Sequence, residues 1–182
     1  MSEVPNVQQS VEFHLNNLAN YLLSLSYKCK MMACYFRKNY SDMFGIADFY
    51  QWCADDMDKS VDLVKDYIGK IGCHVEIKEA EKPEREDFGT PLKSLQYILK
   101  EDQCLSALLT NIYNYSKIKG EENLKNFLEE EMIIPQSAWN KKIQDLIEKL
   151  RLANETQNQT DLDKTFKNEF SLIKRLRDQK LI

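Results

Sequence analysis

Apolar residues recur along this chain in steps of three and four over long stretches, the spacing of a buried stripe on an α-helix. Leu15, Leu18, Leu22, Leu25, Cys29, Met32 and Phe36 keep that rhythm unbroken and predict a helix over about 7–37. Arg37 and Lys38 fall in its last turn, where cations suit the helix dipole. Ile46, Tyr50, Cys53, Met57, Val64 and Tyr67 form a second stripe, broken only at Ser60, and predict a helix over about 43–71 with Gly72 behind it. Thr90-Pro91 is a start signal, an N-cap followed by proline at the first helical position. The third stripe, Leu92, Leu95, Leu99, Leu105, Leu109 and Ile112, places a helix over about 91–118, and its one polar slot is Asp102. After Gly120 a fourth helix is expected over about 122–153, on Leu124, Leu128, Met132, Trp139, Ile143, Leu146 and Leu150. Its polar slot is Gln136, and Pro135 predicts a kink, because proline lacks the helical donor and crowds the preceding turn.

The connections set the topology. Residues 39–42 allow only a tight turn, so the second helix returns antiparallel to the first. Residues 73–90 form a connection long enough to travel the height of a bundle, which lets the third helix run parallel to the second. A polar loop over 154–161 precedes a short fifth helix, about 162–177, carrying Leu162, Phe166, Phe170, Ile173 and Leu176. That helix must lie on the bundle end or on other subunits. The fold class is all-α: a four-helix bundle with one long crossover and a short fifth C-terminal helix, read as one domain over 1–182.

Composition narrows the class. With 43% apolar and 30% charged residues and few Gly or Pro, the chain suits one soluble domain with a substantial core. A net charge of −4 offers no basic field for nucleic acid or an anionic membrane. The polar start, Met1 to Asn6, carries no secretory signal pattern, and nothing approaches a transmembrane length, so a cytoplasmic protein is expected. Two sequons in one polar loop, at Asn154 and Asn158, keep a secreted origin open if a signal has been removed. Five cysteines, Cys29, Cys34, Cys53, Cys73 and Cys104, form no C-x-x-C pair and are expected to be buried free thiols.

Asp55, Asp56 and Asp58 stand beside the buried stripe of the second helix. Acids at such a place can build a metal site in a four-helix bundle, but a di-iron centre needs Glu-x-x-His, carboxylate and imidazole one turn apart. The two histidines, His14 and His74, lack a glutamate three residues before them, so that motif cannot be built here. Both are read as structural. For Asp102 and Gln136 the ordinary reading is a pair of core polar residues bonded to each other or to water, and the sharper one a weak single-metal site. The plain reading of Asp55, Asp56 and Asp58 is a solvated helix face.

The helix lengths, the long connection containing Lys82-Pro83 and the terminal short helix resemble an animal ferritin subunit. Local echoes are Tyr27, Ala33-Cys34-Tyr35-Phe36, Gly72, Phe127-Leu128-Glu129, Leu150-Arg151 and the stretch Phe170 to Leu176. The resemblance implies a hollow shell of twenty-four subunits around a ferric mineral, with no organic cofactor. It also implies that the heavy-type ferroxidase centre is largely lost. The first-helix glutamate falls on Leu22 and its neighbouring tyrosine on Cys29, the bridging glutamate on Met57 and the histidine ligand on Ser60. The third-helix glutamate is shortened to Asp102, and only the glutamine, Gln136, is kept. Of the light-type nucleation positions, Asp55 and Asp56 keep the charge while Trp52 and Lys59 do not. Glu129 matches an acid of the three-fold channel, but Asn126 and Tyr113 replace the channel's other polar groups. An acidic first turn of the fourth helix is the plain reading of Glu129 to Glu131. The expectation is a non-enzymatic iron-storage subunit, alone or mixed with heavy-type partners. The alternative is a ferritin-derived shell or chaperone-like scaffold with no iron role.

Overall fold

A computed structural model describes residues 7–40, 43–79, 86–154 and 159–178. Among the described residues there are five helices: α1 (Val7–Asn39), α2 (Phe44–Lys70), α3 (Pro91–Lys119), α4 and α5 (Gln159–Asp178). The fourth, α4, is built of Glu122–Phe127, a π-helical segment Leu128–Ile133 and Ile134–Asn154. No strand occurs among the described residues.

The helix ends follow local chemistry. Thr90 Oγ1 accepts from the Lys93 N–H at 3.3 Å, with Pro91 as the first helical residue. At the far end of α3, Gly120 takes φ +73°, and the Glu121 N–H reaches back to the Ser116 carbonyl at 2.9 Å. A side chain at Gly120 would resist that left-handed turn. The end of α2 closes the same way, with the Cys73 N–H on the Ile68 carbonyl at 3.1 Å.

Hydrogen bonds trace the crossover. Beyond α2 the chain runs extended along α1, held by two asparagines one turn apart. Asn16 Nδ2 donates to the His74 carbonyl and its Oδ1 accepts from the Glu76 N–H, at 2.8 and 2.7 Å. Asn20 repeats the pattern with the Glu76 carbonyl and the Lys78 N–H, at 2.8 and 2.7 Å. The connection reaches the other end of α1 where the Tyr35 and Tyr40 hydroxyls donate to the Gly89 carbonyl. From Asn16 to Tyr35 a helix climbs roughly 28 Å at 1.5 Å per residue, so the connection crosses most of the bundle's height. It therefore delivers α3 beside the start of α2, where the Tyr50 hydroxyl donates to Ser94 Oγ at 2.7 Å. The two helices are parallel, as the length of the connection predicts. Lys82 and Pro83 lie outside the described residues.

The kink expected at Pro135 takes a defined form. Proline clashes with the carbonyl four residues back, and the wider π turn of Leu128–Ile133 sits just before it. Glu129, Glu130 and Glu131 fall in this segment, not in a first turn as the charge pattern suggested.

The fifth helix begins at Gln159, three residues earlier than the pattern predicts, and packs on the bundle end. Phe166 meets Phe49 edge-on, and Phe170 packs against both Phe49 and Trp52. Asp163, buried, accepts from the Gly45 N–H at 3.1 Å through Oδ1 and pairs with Lys167 through Oδ2. An α5 carboxylate thus satisfies an orphan donor in the first turn of α2. A Cβ on Gly45 would lie 2.6 Å from Lys167 Cγ and 2.9 Å from Asp163 Oδ1, so only glycine admits this approach.

Candidate metal centre

Halfway along the bundle a cavity of about 30 Å³ is lined by residues of α1, α2, α3 and α4. Of the ligand positions that the resemblance marks, it brings together Leu22, Met57, Ser60 and Gln136. Leu22 and Met57 are buried and offer a hydrocarbon branch and a thioether. Ser60 sits one turn behind Asp56 and donates its hydroxyl to the Asp56 carbonyl at 3.2 Å, a bond within α2. Gln136 donates to Asn140 Oδ1 at 3.3 Å and, at 3.5 Å, to the main-chain carbonyl of Asp102. Oxygen donors at the cavity are Asp56, Glu131, Ser60 and Gln136. Among the described residues, no group of three or more His, Cys, Asp or Glu is placed to hold a metal ion.

Asp102 and Cys29 do not line this cavity. Asp102 is completely buried, and its Oδ2 accepts from the Trp139 indole N–H at 2.9 Å while Oδ1 has no partner. Burial pushes its carboxyl up to about 7, with hydrogen bonds from the Trp139 indole and Gln136 only partly opposing. Gln136 does reach Asp102, through the main-chain carbonyl at 3.5 Å and as a weaker donor toward the carboxyl, but Trp139, one turn beyond, makes the closer bond to the carboxylate. Trp139 was legible only as a seam residue, yet a buried indole needs an acceptor and Asp102 was the polar slot across from it. Cys29 is buried beside this acid, and burial followed by the Asp102 charge raises its thiol well above the ordinary range.

The three acids of α2 part company because consecutive helical positions point about 100° apart. Asp55 is exposed and accepts from Gln51 at 3.0 Å. Asp56 is half-buried at the cavity. Asp58 turns to α1, accepting from Ser26 Oγ at 2.5 Å and Lys30 Nζ at 2.8 Å, so it is no part of a freely solvated face. Burial works to raise its carboxyl, but the Lys30 and Ser26 bonds outweigh it and hold the group below its usual range. None of the five cysteines is in a disulfide; Cys29 and Cys53 are buried as expected, Cys34 and Cys104 are exposed and Cys73 is half-buried.

A family model described as the ferritin-like domain matches residues 13–153, from the second turn of α1 to the end of α4. The chain belongs to the ferritin-like domain family. It is 26% identical over 146 residues to the ferritin lower subunit of Aquarana catesbeiana, covering 80% of this chain and 84% of that one. Similarity to the soma ferritin of Lymnaea stagnalis is 23% over 146 residues, again 80% of this chain and 84% of the relative. To the ferritin middle subunit of Salmo salar it is 24% over 153 residues, 84% of this chain and 87% of that one. The family match stops short of α5, whose docking on Phe49 and Gly45 rests on the structure alone. No helix among the described residues is long and apolar enough to cross a membrane.

Five more positions bear on a ferritin-like reading. Glu129 and Asn126 are exposed on α4, and Tyr113 is half-buried on α3. Trp52, at a position where the resemblance implies a nucleation acid, packs on Trp139 with ring centroids 5.6 Å apart. Lys59 is exposed.

Proposed function

We propose that this chain is an iron-storage shell subunit of ferritin type without a working ferroxidase centre. The observation that carries the reading is the mid-bundle cavity, where Leu22 and Met57 stand at positions that would have to supply oxygen donors. Two iron ions need several hard ligands held against competition from water. The carboxylate that could help most, Asp102, is committed to Trp139, and burial raises its carboxyl to about 7. Iron is the cargo in this reading, oxidised by heavy-type partner subunits or by slow autoxidation.

The shell is self-associated, with twenty-four subunits as the family implies, and it accepts heavy-type subunits as partners. Mineral nucleation falls to Asp55 and Asp56, whose carboxylates remain on α2, and Glu129 supplies an acidic ring to a weakened ion channel. Size-exclusion chromatography with light scattering, followed by aerobic ferrous loading with and without an active heavy-type subunit, tests this. A shell-sized particle that mineralises only slowly alone and readily in mixture supports the proposal. A shell that stays empty even in mixture points to a scaffold, and a monomer or dimer overturns the shell.

A further inference from the structure

We propose that Cys53, Met57 and Met132 form a binding site for one soft monovalent cation, Cu(I), in the mid-bundle cavity. Cys53 and Met57 stand one turn apart on the same face of α2, and Met132 comes from the π-helical segment of α4. All three side chains are buried, at 3%, 8% and 6% exposure, and all three line the same cavity. Its volume of about 30 Å³ is enough for one water-sized occupant.

The donor set selects its ion. A thiol and two thioethers are soft, and soft sulfur ligands favour Cu(I) over iron, magnesium or calcium. On binding, the Cys53 S–H bond breaks, its proton leaves to solvent, and an S–Cu bond forms with no change of oxidation state. Thiolate and Cu(I) cancel in charge, so a neutral complex sits against Leu22 and Leu105 at little desolvation cost. A divalent ion would leave a net charge there. The route in is acidic: exposed Glu131 and half-buried Asp56 line the same cavity and attract cations. The π turn is a second feature, since it departs from regular helix over the residues that include Met132, and such turns gather at functional sites. The sulfur-lined pocket stands apart from the iron reading, which turns on missing oxygen donors.

The test is anaerobic Cu(I) titration, without iron, against a chromophoric Cu(I) chelator, in a background where Cys34, Cys73 and Cys104 are serine. One tightly held equivalent per chain with a three-sulfur shell by X-ray absorption is expected. Cys53→Ala should lose that equivalent, and Met57→Leu/Met132→Leu should weaken it and remove the thioether scattering, whereas Cys29→Ala should leave it in place. Circular dichroism checks that each variant is folded. Absence of a tight equivalent in the background protein overturns the site, as does a shell dominated by oxygen or nitrogen. Loss of binding in Cys29→Ala but not in Cys53→Ala would overturn it too. Each of these failures leaves the iron-storage reading untouched, because none of them involves iron.

Discussion

The bundle core has two unlike halves. Around the end where α5 docks, the core holds the buried aromatic rings: Phe36, Phe49, Tyr50, Phe88, Trp139 and Phe166. The other half is aliphatic and methionine-lined, with Leu15, Leu18, Leu25, Val64, Leu109 and Ile112. The aromatic half tolerates polar atoms, because Tyr50 and Trp139 bring a hydroxyl and an indole N–H into the core. Those groups reach Ser94 and Asp102. The aliphatic half has handles only at its margin: the Tyr21 hydroxyl reaches the Glu101 carbonyl, and the Tyr115 hydroxyl is buried with no hydrogen-bond partner. The mid-bundle cavity lies at their boundary, with Cys53 and Trp139 from one half and Leu22, Met57, Leu105 and Met132 from the other. A buried acid survives here on the aromatic side of that line, and sulfur and hydrocarbon take over beyond it.

Breaking each half should expose the difference. Phe49→Ala removes the ring on which Phe166 and Phe170 rest, and should lower the unfolding free energy by about 3–5 kcal/mol. Hydrogen exchange should then show α5 amides losing protection. Leu18→Ala in the aliphatic half should cost about 2–5 kcal/mol while α5 stays protected. Equal loss of α5 protection in both variants would mean that the halves do not act separately.

Asp102 sharpens the contrast through pH. Its folded pKa, raised to about 7 chiefly by burial, lies above the unfolded carboxylate value near 4. The native state therefore binds the extra proton between about pH 4 and 7, so stability falls as pH rises through that window and levels off above it. Denaturation of Asp102→Asn over the same range should lack this slope. Trp139→Phe, which removes the 2.9 Å hydrogen bond to the carboxylate, should cost about 1–3 kcal/mol and push the upper end of the window higher. An unchanged pH profile in both variants would show that the acid is not held by the indole.

Smaller effects belong to the edges of the two halves. Gly45→Ala should strain the α5 dock by about 1–3 kcal/mol, read as weaker protection of Asp163 and its neighbours. Ser26→Ala, on the α1–α2 seam, removes one donor to Asp58 and should cost about 0.5–1.5 kcal/mol. Its chemical-shift titration should move the Asp58 carboxyl upward.

The long-range frame was legible because unbroken seams such as Leu15 to Phe36 leave a helix no other face to bury, and Thr90-Pro91 and Gly120 mark ends by local chemistry. The crossover was legible from length alone. What escaped depended on partners from other helices. Pro135 signalled a distortion but could not say that it would be relieved by a π turn over Leu128–Ile133. Asp55, Asp56 and Asp58 read as one acidic face, although only α1, with Ser26 and Lys30, decides where Asp58 goes. Gln136 was legible as a neighbour of Asp102 because both occupy polar slots, but the closer donor, the buried indole one turn on, read only as a seam residue.

The most direct test of the central claim is the initial rate of ferrous oxidation under air by the purified, assembled protein, set against a protein-free control. The account predicts no acceleration at low iron and no saturable phase, with slow mineral growth only as iron accumulates. A fast phase that saturates near two iron ions per chain would contradict it, and would mean that Asp56, Glu131 and Gln136 assemble an oxidase despite Leu22 and Met57.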